Sequence, residues 1–185
     1  MKKIIFSIFI TSFMYSYNLS AQNLANTMRG TVNPRLNESF GQEQKEVISM
    51  LDSFNVAAAK ADYKTYFNFF TDYAVFTGTD ATERWTKNEY MVWTKPYFDK
   101  KRTWNFTSLV RHIYIDPPGT HAWFDELLNT QMKICRGSGV MVKEANGWKL
   151  MQYILSTTIP NPVMDSVVKI KAPIEDELIK KLSDK

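Results

Sequence analysis

The run from Lys133 to Thr158 reads KICRGSGVMVKEANGWKLMQYILSTT and contains the clearest structural signal in the chain. Two long β-rich runs flank the pair Asn146-Gly147, which favours positive φ angles and therefore a tight two-residue turn. Strands of roughly ten residues are long for a minimal domain and are typical of a large, curved sheet. The stretch therefore predicts a long β-hairpin, the last one in the sheet.

Both faces of this predicted hairpin are apolar. A turn at 146–147 places on one face Gly137, Gly139, Met141, Leu150, Gln152, Ile154 and Ser156. The other face then carries Val140, Val142, Met151, Tyr153 and Leu155. In a sheet with one face exposed to water, apolar and polar side chains alternate more regularly than they do here. We therefore expect helices to cover one face of this sheet and a partner subunit to cover the other. A homodimer is the simplest such partner.

The first 22 of the 185 residues have the pattern of a secretory signal. Lys2 and Lys3 precede the apolar run Ile4 to Met14, and Leu19-Ser20-Ala21 supplies small residues before Gln22. The apolar run falls short of the roughly 20 residues that span a membrane. We therefore expect residues 1–22 to be a signal peptide, the protein to be periplasmic or secreted, and no stable membrane insertion after cleavage.

Charge and cysteine content exclude several classes of function. Removal of Lys2 and Lys3 lowers the formal net charge from +4 to about +2, and no remaining cluster of Lys and Arg indicates a nucleic-acid partner. The single cysteine, Cys135, excludes an intrachain disulfide. Two histidines and one cysteine, widely spaced, do not form a zinc motif. No nucleotide or flavin motif is present, so no cofactor is expected.

Helical patterns occupy the first half of the chain after a polar leader at 23–41. Apolar side chains recur at helical spacing from residue 42, namely at Val47, Met50, Leu51, Phe54 and Ala58. Asp62 is a suitable N-cap for a second, short helix. Thr86 and Glu89 form the capping box of a third helix, whose ring face carries Tyr90 and Trp93.

The second half is nearly all strand. Residues 104–115 alternate, 116–119 read as a turn, and 120–128 return before the hairpin. Residues 161–185 form a tail in which Ile174 to Leu182 has a short helical pattern. Helices followed by antiparallel strands predict an α+β domain over residues 42–160.

Several short segments, in this order, resemble the SnoaL-like branch of the nuclear transport factor 2-like superfamily. They are DYAV (72–75), GTDATERW (78–85), AWFDE (122–126), RGSGV (136–140), GWKL (147–150) and Ser156. The resemblance implies a cone-shaped fold, in which N-terminal helices pack into a strongly curved antiparallel sheet around an apolar pocket. Related sequences often carry histidines in the last strand, where this chain has Gln152 and Ile154.

The resemblance leaves three kinds of function open, because one fold serves many chemistries. The first is a module that binds a small, mostly apolar ligand in an aromatic pocket. The second is a cofactor-independent isomerase, cyclase or dehydratase. The third is a dimeric association domain without a ligand. The missing strand histidines favour the first.

Pairing arithmetic brings one candidate catalytic pair together. A two-residue turn at Pro118-Gly119 makes paired residue numbers sum to 237, which sets His112 opposite Asp125 and Tyr114 opposite Trp123. Alternation then predicts one shared face, made of Trp104, Phe106, Ser108, Val110, His112, Tyr114, Trp123, Asp125 and Leu127.

Asp125 and His112 are the predicted catalytic residues. Burial near rings raises the pKa of a carboxyl, so Asp125 can act as a general base tuned by His112, with Tyr114 or Trp123 orienting the substrate. The alternative is a hydrogen bond that merely satisfies two polar side chains.

Arg136 and a group of aromatic side chains are the candidate ligand contacts. Arg136 lies in an apolar strand row, where it can hold a ligand carboxylate or pair with Asp80, Glu83 or Asp125. The aromatic side chains can line a pocket or pack in the core. The predicted ligand-binding set is Trp85, Tyr90, Trp104, Tyr114, Trp123 and Arg136.

Overall fold

The computed structural model describes residues 41–184. The predicted signal peptide and all but the last residue of the predicted leader lie outside this range. Three helices and two strands make up the first half: α1 (Gly41–Ala59), α2 (Tyr63–Asn68), β1 (Phe70–Thr77), β2 (Arg84–Thr86) and α3 (Lys87–Asp99). The second half contains β3 (Thr107–Ile115), β4 (His121–Thr130), β5 (Lys133–Glu144), β6 (Gly147–Thr157) and α4 (Met164–Ser183).

All six strands belong to one sheet in the order β2-β1-β6-β5-β4-β3. The pairs along the meander β3-β4-β5-β6 are antiparallel, as is β1 with β2. β1 pairs with β6 in parallel, so the first long strand is held by the last. The predicted α+β class, with helices packed into a curved sheet, is confirmed.

The core lies between α1–α3 and one face of the sheet, here called the inner face. α1 buries the residues that the helical spacing predicted, among them Val47, Leu51 and Phe54. The strands supply alternate residues to the same layer, including Ala122, Phe124, Leu128, Cys135, Met141, Leu150, Tyr153 and Leu155. The opposite face of the sheet is the outer face.

The predicted β3–β4 register is confirmed, but the predicted common face is wrong at its start. His112 pairs with Asp125 and Tyr114 with Trp123, as the sum of 237 requires. The register shifts between Ser108 and Val110, because a β-bulge at Leu109 adds one residue to β3. Trp104 and Phe106 therefore pack against the core, whereas Val110, His112 and Tyr114 lie on the outer face.

The β5–β6 hairpin forms with its turn one residue earlier than predicted. Glu144 pairs with Gly147, so Ala145-Asn146 form the turn, and Gly147 has the positive φ of 106°. A second register shift lies between Val140 and Met141, where Met151 of β6 is the extra residue. The predicted faces of the far half of β6 are therefore exchanged: Tyr153 and Leu155 lie on the inner face, and Gln152, Ile154 and Ser156 on the outer face.

The C-terminal helix is longer than predicted. α4 covers Met164–Ser183 instead of starting at Ile174, and none of its residues is buried. It continues through Pro173. Within residues 41–184, no helix has the length and apolar character needed to cross a membrane.

Candidate functional site

An aromatic pocket opens at the inner face of the sheet, between the helices and strands of both halves of the domain. Its volume is about 150 Å³, close to that of an apolar cavity that binds a single benzene ring. Nine aromatic side chains line it: Phe54, Tyr66, Phe76, Trp85, Tyr90, Trp93, Trp104, Phe106 and Tyr153. We call this site the aromatic pocket.

Two helix caps fix the pocket residues contributed by the first half. The Asp62 side chain accepts a hydrogen bond from Thr65 N at 3.1 Å and starts α2, which presents Tyr66. Thr86 and Glu89 form the predicted capping box, in which Thr86 N donates to Glu89 Oε2 at 2.8 Å. That box starts α3 immediately before Tyr90. The caps therefore set the position of two pocket walls.

The rings stack in a nearly parallel arrangement. The Phe76 and Tyr90 ring centroids are 4.0 Å apart with planes 9° apart, and Tyr153 stacks on Phe76 at 5.5 Å, also at 9°. Trp85 stacks on Trp93 at 4.8 Å. Rings stacked at these distances leave no space between one another, so they form continuous aromatic walls against which a flat ligand can pack.

A pair of tyrosine hydroxyls supplies the polar contact inside the pocket. Tyr66 Oη and Tyr90 Oη are 3.2 Å apart, and both residues are buried. Burial raises the pKa of both phenols well above its usual range, so both stay neutral. Of two hydroxyls that share one hydrogen bond, one retains a proton to donate to a ligand oxygen or nitrogen.

The exposed and half-buried lining residues include most of the polar ones, and we call this part of the pocket its mouth. It contains Gly78, Thr79, Glu83, Gln131 and Met132. Glu83 Oε2 accepts a hydrogen bond from Asp80 N at 3.1 Å, which closes the turn between β1 and β2. The carboxylate lies against Gly78, where a side chain would collide with it. Glu83 is therefore held at the rim by its own loop.

A buried ion network lies next to the pocket wall. Arg111 Nε and Nη2 contact Glu126 Oε2 at 2.9 and 2.8 Å, and Arg111 Nη1 contacts Asp52 Oδ1 at 2.8 Å. Glu126 is 1% exposed. Burial raises the pKa of Glu126, and the positive charge of Arg111 opposes that shift. The network ties α1 to the paired strands β3 and β4.

The outer face carries a different group of side chains. His112 Nδ1 lies 3.2 Å from Asp125 Oδ1, with the two side chains 57% and 36% exposed. Arg136 Nη1 lies 3.9 Å from the same carboxylate oxygen. Tyr114 and Trp123 stack beside them with centroids 5.6 Å apart. We call this group the outer cluster.

The sequence of this domain matches a known family over most of its length. Residues 47–160 match the SnoaL-like domain family. The chain belongs to the SnoaL-like domain family. Among curated proteins, none matches the sequence.

Solved structures share the fold of this SnoaL-like domain at low sequence identity. A protein of unknown function from Pseudomonas putida KT2440, described as NTF2-like (like nuclear transport factor 2), is 11% identical, with 65% of this chain and 90% of that chain covered and a TM-score of 0.56. A putative dehydratase of the NTF2-like family from Streptomyces avermitilis is 15% identical (65% and 99% covered, TM-score 0.56). The association domain of CaMKII from C. elegans is 17% identical (65% and 100% covered, TM-score 0.55). These likenesses establish the cone fold alone.

The SnoaL-like domain separates the predicted site residues into two groups. Trp85, Tyr90 and Trp104 line the aromatic pocket. The predicted contacts Tyr114, Trp123 and Arg136, with the predicted catalytic residues Asp125 and His112, form the outer cluster on the opposite face. The roles predicted for Asp125 and His112 stay predictions, and the geometry gives them no contact with the pocket.

Sequence analysis missed Glu126 and gave Glu83 no place in the pocket. The sequence did indicate that Glu126 is buried. Strict alternation places it on the same strand face as Ala122, Phe124 and Leu128, where an acid needs a buried partner. Glu83 gave no such signal, because its place at the rim depends on the loop that folds it over Gly78.

The described part of the chain contains no recognisable site for cysteine or metal chemistry. Cys135 is buried and free, and Thr130 Oγ1 lies 3.5 Å from its sulfur. Across residues 41–184, no group of three or more His, Cys, Asp or Glu side chains is arranged to hold a metal ion.

Proposed function

We propose that this SnoaL-like protein binds a small, mostly apolar, ring-containing molecule in the aromatic pocket. The observation that carries the proposal is that nine aromatic side chains line a space of about 150 Å³, which fits about one six-membered ring. Substituents on such a ring extend through the polar mouth. The Tyr66–Tyr90 hydroxyl pair gives the ligand one directed polar contact.

Native mass spectrometry of the mature protein, purified from its own cell envelope, is the first test. We expect a small molecule bound one per chain, and extraction under denaturing conditions identifies its chemical class. A protein that arrives empty, and that binds no simple ring compound at millimolar concentration, contradicts the proposal.

Two tryptophan substitutions make a matched test with benzyl alcohol as probe. Trp85→Ala removes a wall of the aromatic pocket and should weaken binding about tenfold, since one aromatic contact contributes roughly 1 kcal/mol or more. Trp123→Ala removes a ring of the same type from the outer cluster and should leave the dissociation constant unchanged. NMR titration measures both, and equal effects of the two substitutions contradict the assignment of the site.

A second candidate function is a cofactor-independent isomerase, cyclase or dehydratase. The neutral tyrosine pair favours it, because a buried hydroxyl can donate a hydrogen bond to an oxyanion that develops in the transition state. Asp125 and His112 lie on the opposite face of the sheet, so they remain the proposed base and its partner only for a substrate bound at the outer cluster, and not for one held by the tyrosine pair. We expect Asp125→Asn to leave benzyl alcohol binding unchanged, because the outer cluster faces away from the pocket; a loss of turnover with intact binding would establish the catalytic role.

The outer face supports a further proposal, that two copies of the chain form a homodimer. Three apolar side chains on this face, Tyr114, Trp123 and Ile134, are each 46–47% exposed. Covering apolar surface of this kind lowers the free energy of the protein. We expect a dimer in equilibrium sedimentation at micromolar concentration. Trp123→Arg should give a monomer, and Val168→Arg on the exposed helix α4 should not; a wild-type monomer contradicts the proposal.

We further propose that the chain is exported and then loses residues 1–22. The basic, apolar and small-residue segments in that order support this. Expression in a Gram-negative host, cell fractionation and N-terminal sequencing test it. A periplasmic product beginning at Gln22 or Asn23 is expected, and an uncleaved cytoplasmic product contradicts the proposal.

A further inference from the structure

The aromatic pocket has an unbalanced charge. Its lining contains one ionisable acid, Glu83, and no Lys, Arg or His among the residues that the structure describes. Its three tyrosines, Tyr66, Tyr90 and Tyr153, stay neutral because burial raises the pKa of each phenol. The charge that a bound molecule meets is therefore that of the Glu83 carboxylate.

Glu83 is fixed toward the pocket by the turn that carries it. Gly78 N donates to Glu83 O at 2.9 Å, and Glu83 N donates to Asp80 O at 3.0 Å. Its carboxylate accepts from Asp80 N and occupies the space that Gly78 leaves by having no side chain. Burial is the main cause that raises the pKa of Tyr90, and the nearby Glu83 charge adds to it.

The aromatic rings near the mouth, like the Glu83 carboxylate, favour a cation over an anion. Trp85 lies 5.7 Å from Tyr90 and 4.8 Å from Trp93, measured between ring centroids. The face of each ring carries partial negative potential, which attracts a cation and is strongest for tryptophan. A carboxylate in a pocket lined by aromatic rings favours an ammonium group over a neutral group and disfavours a carboxylate.

We propose that the ligand of this pocket is an organic cation, with a flat apolar ring held between the aromatic walls and an ammonium group at the mouth beside Glu83. The inference rests on the proposed ligand-binding function and adds the charge of the ligand to it. It predicts that, among ring compounds of similar size, a cation binds most tightly, a neutral compound less tightly and an anion most weakly.

Three probes that share one phenyl ring test this ranking: benzylamine, which is protonated at pH 7, benzyl alcohol and benzoate. We expect benzylamine to bind about tenfold more tightly than benzyl alcohol, and benzoate to bind most weakly. The benzylamine affinity should fall as the salt concentration rises, whereas the benzyl alcohol affinity should not. NMR titration of the full mature chain measures all three.

Glu83→Gln keeps an oxygen that can accept from Asp80 N and removes the charge. It should weaken benzylamine binding about tenfold and change benzyl alcohol binding by less than twofold. Glu144→Gln, at the exposed end of the β5–β6 hairpin, removes the same charge far from the mouth and should change neither.

The outcomes separate the two proposals. Benzyl alcohol binding with no preference for benzylamine overturns the cation inference and leaves the aromatic pocket as a binding site. A preference for benzylamine that persists in Glu83→Gln overturns the assignment to Glu83. Failure of all three probes to bind overturns the proposed function itself. The salt dependence in wild type gives the answer even if Glu83→Gln does not fold.

Discussion

Glu126 is the buried acid on which the contact between α1 and the sheet depends. It pairs with Arg111, which also contacts Asp52 on α1. Removing one member of a buried ion pair leaves the other charge uncompensated, at a cost of about 3–5 kcal/mol. Glutamine, like the protonated acid that the raised pKa of Glu126 favours, keeps an oxygen that can accept from Arg111, and Asp52 still contacts Arg111. We therefore expect Glu126→Gln to lower the free energy of unfolding by less than that range, by about 1 kcal/mol, in urea denaturation at pH 7.

The pH dependence of the Glu126→Gln effect has a definite sign. Burial raises the pKa of Glu126 above its usual 4.5, so the folded state holds this proton more tightly than the unfolded chain. Stability from this group is therefore greatest below pH 4.5 and falls as the pH rises through 4.5 toward the folded pKa. We expect the stability difference between wild type and Glu126→Gln to be larger at pH 4 than at pH 7, and the opposite trend contradicts the burial argument.

Gly137 is required by the side chains that face it across the sheet. A methyl group there would lie 2.7 Å from Tyr153 Oη and 3.1 Å from Glu126 Oε1. Forcing a methyl group into a packed core typically costs about 1–3 kcal/mol. We expect Gly137→Ala to destabilise the fold by that amount in thermal or urea unfolding.

Tyr153→Phe supplies the control for the Gly137 prediction. It removes the hydroxyl that the new methyl group would meet, so Gly137→Ala should cost less in the Tyr153→Phe background than in wild type. The two substitutions are therefore expected to be non-additive, because their sites are in contact. Additive costs would show that the hydroxyl is not the obstacle.

At the scale of the element, α3 carries two walls of the aromatic pocket and depends on its N-terminal cap. Thr86 Oγ1 donates to Glu89 Oε2 at 2.8 Å, and Thr86 N donates to the same oxygen. We expect Thr86→Ala to lower stability by about 1 kcal/mol, as the loss of a threonine cap does elsewhere. Ser53→Ala is the control, because Ser53 only donates to Ser49 O on the exposed side of α1. Circular dichroism during urea unfolding measures both.

The elements were predicted best where a short sequence motif sets the geometry. The cap at Asp62, the capping box at Thr86 and Glu89, and the β3–β4 register from Pro118-Gly119 are confirmed, because each depends on a few neighbouring residues. Helix α4 was predicted too short because Pro173 reads as a helix breaker, yet α4 continues through it.

The candidate site was predicted less well because two bulges reassign whole strand faces. Neither Leu109 nor Met151 has a residue type that marks a bulge, and a shift of one residue exchanges every side chain beyond it. Because the bulge at Leu109 was not predicted, Trp104 was expected on the same face as His112, whereas it packs against the core on the inner face. Tyr153 was likewise assigned to the face away from Gly139, with which it pairs.

At the scale of the whole molecule, α4 contributes no residue to the core. We expect a chain that ends after Pro160 to fold with a free energy of unfolding unchanged within roughly 0.5 kcal/mol in urea denaturation, because no buried side chain is lost. A shorter chain that ends after Thr130 lacks β5 and β6 and should not fold. A large loss of stability from the first truncation would show that α4 packs on the domain in solution.

The parallel pairing of β1 with β6 has a consequence for synthesis on the ribosome. Residues 70–77 find their main sheet partner only when residues 150–154 have been made, about eighty residues later. Contacts between distant parts of a chain form slowly, because a long loop must close first. The rings of the first half therefore stay uncovered until the last strand is available, and apolar surface exposed during that interval favours aggregation.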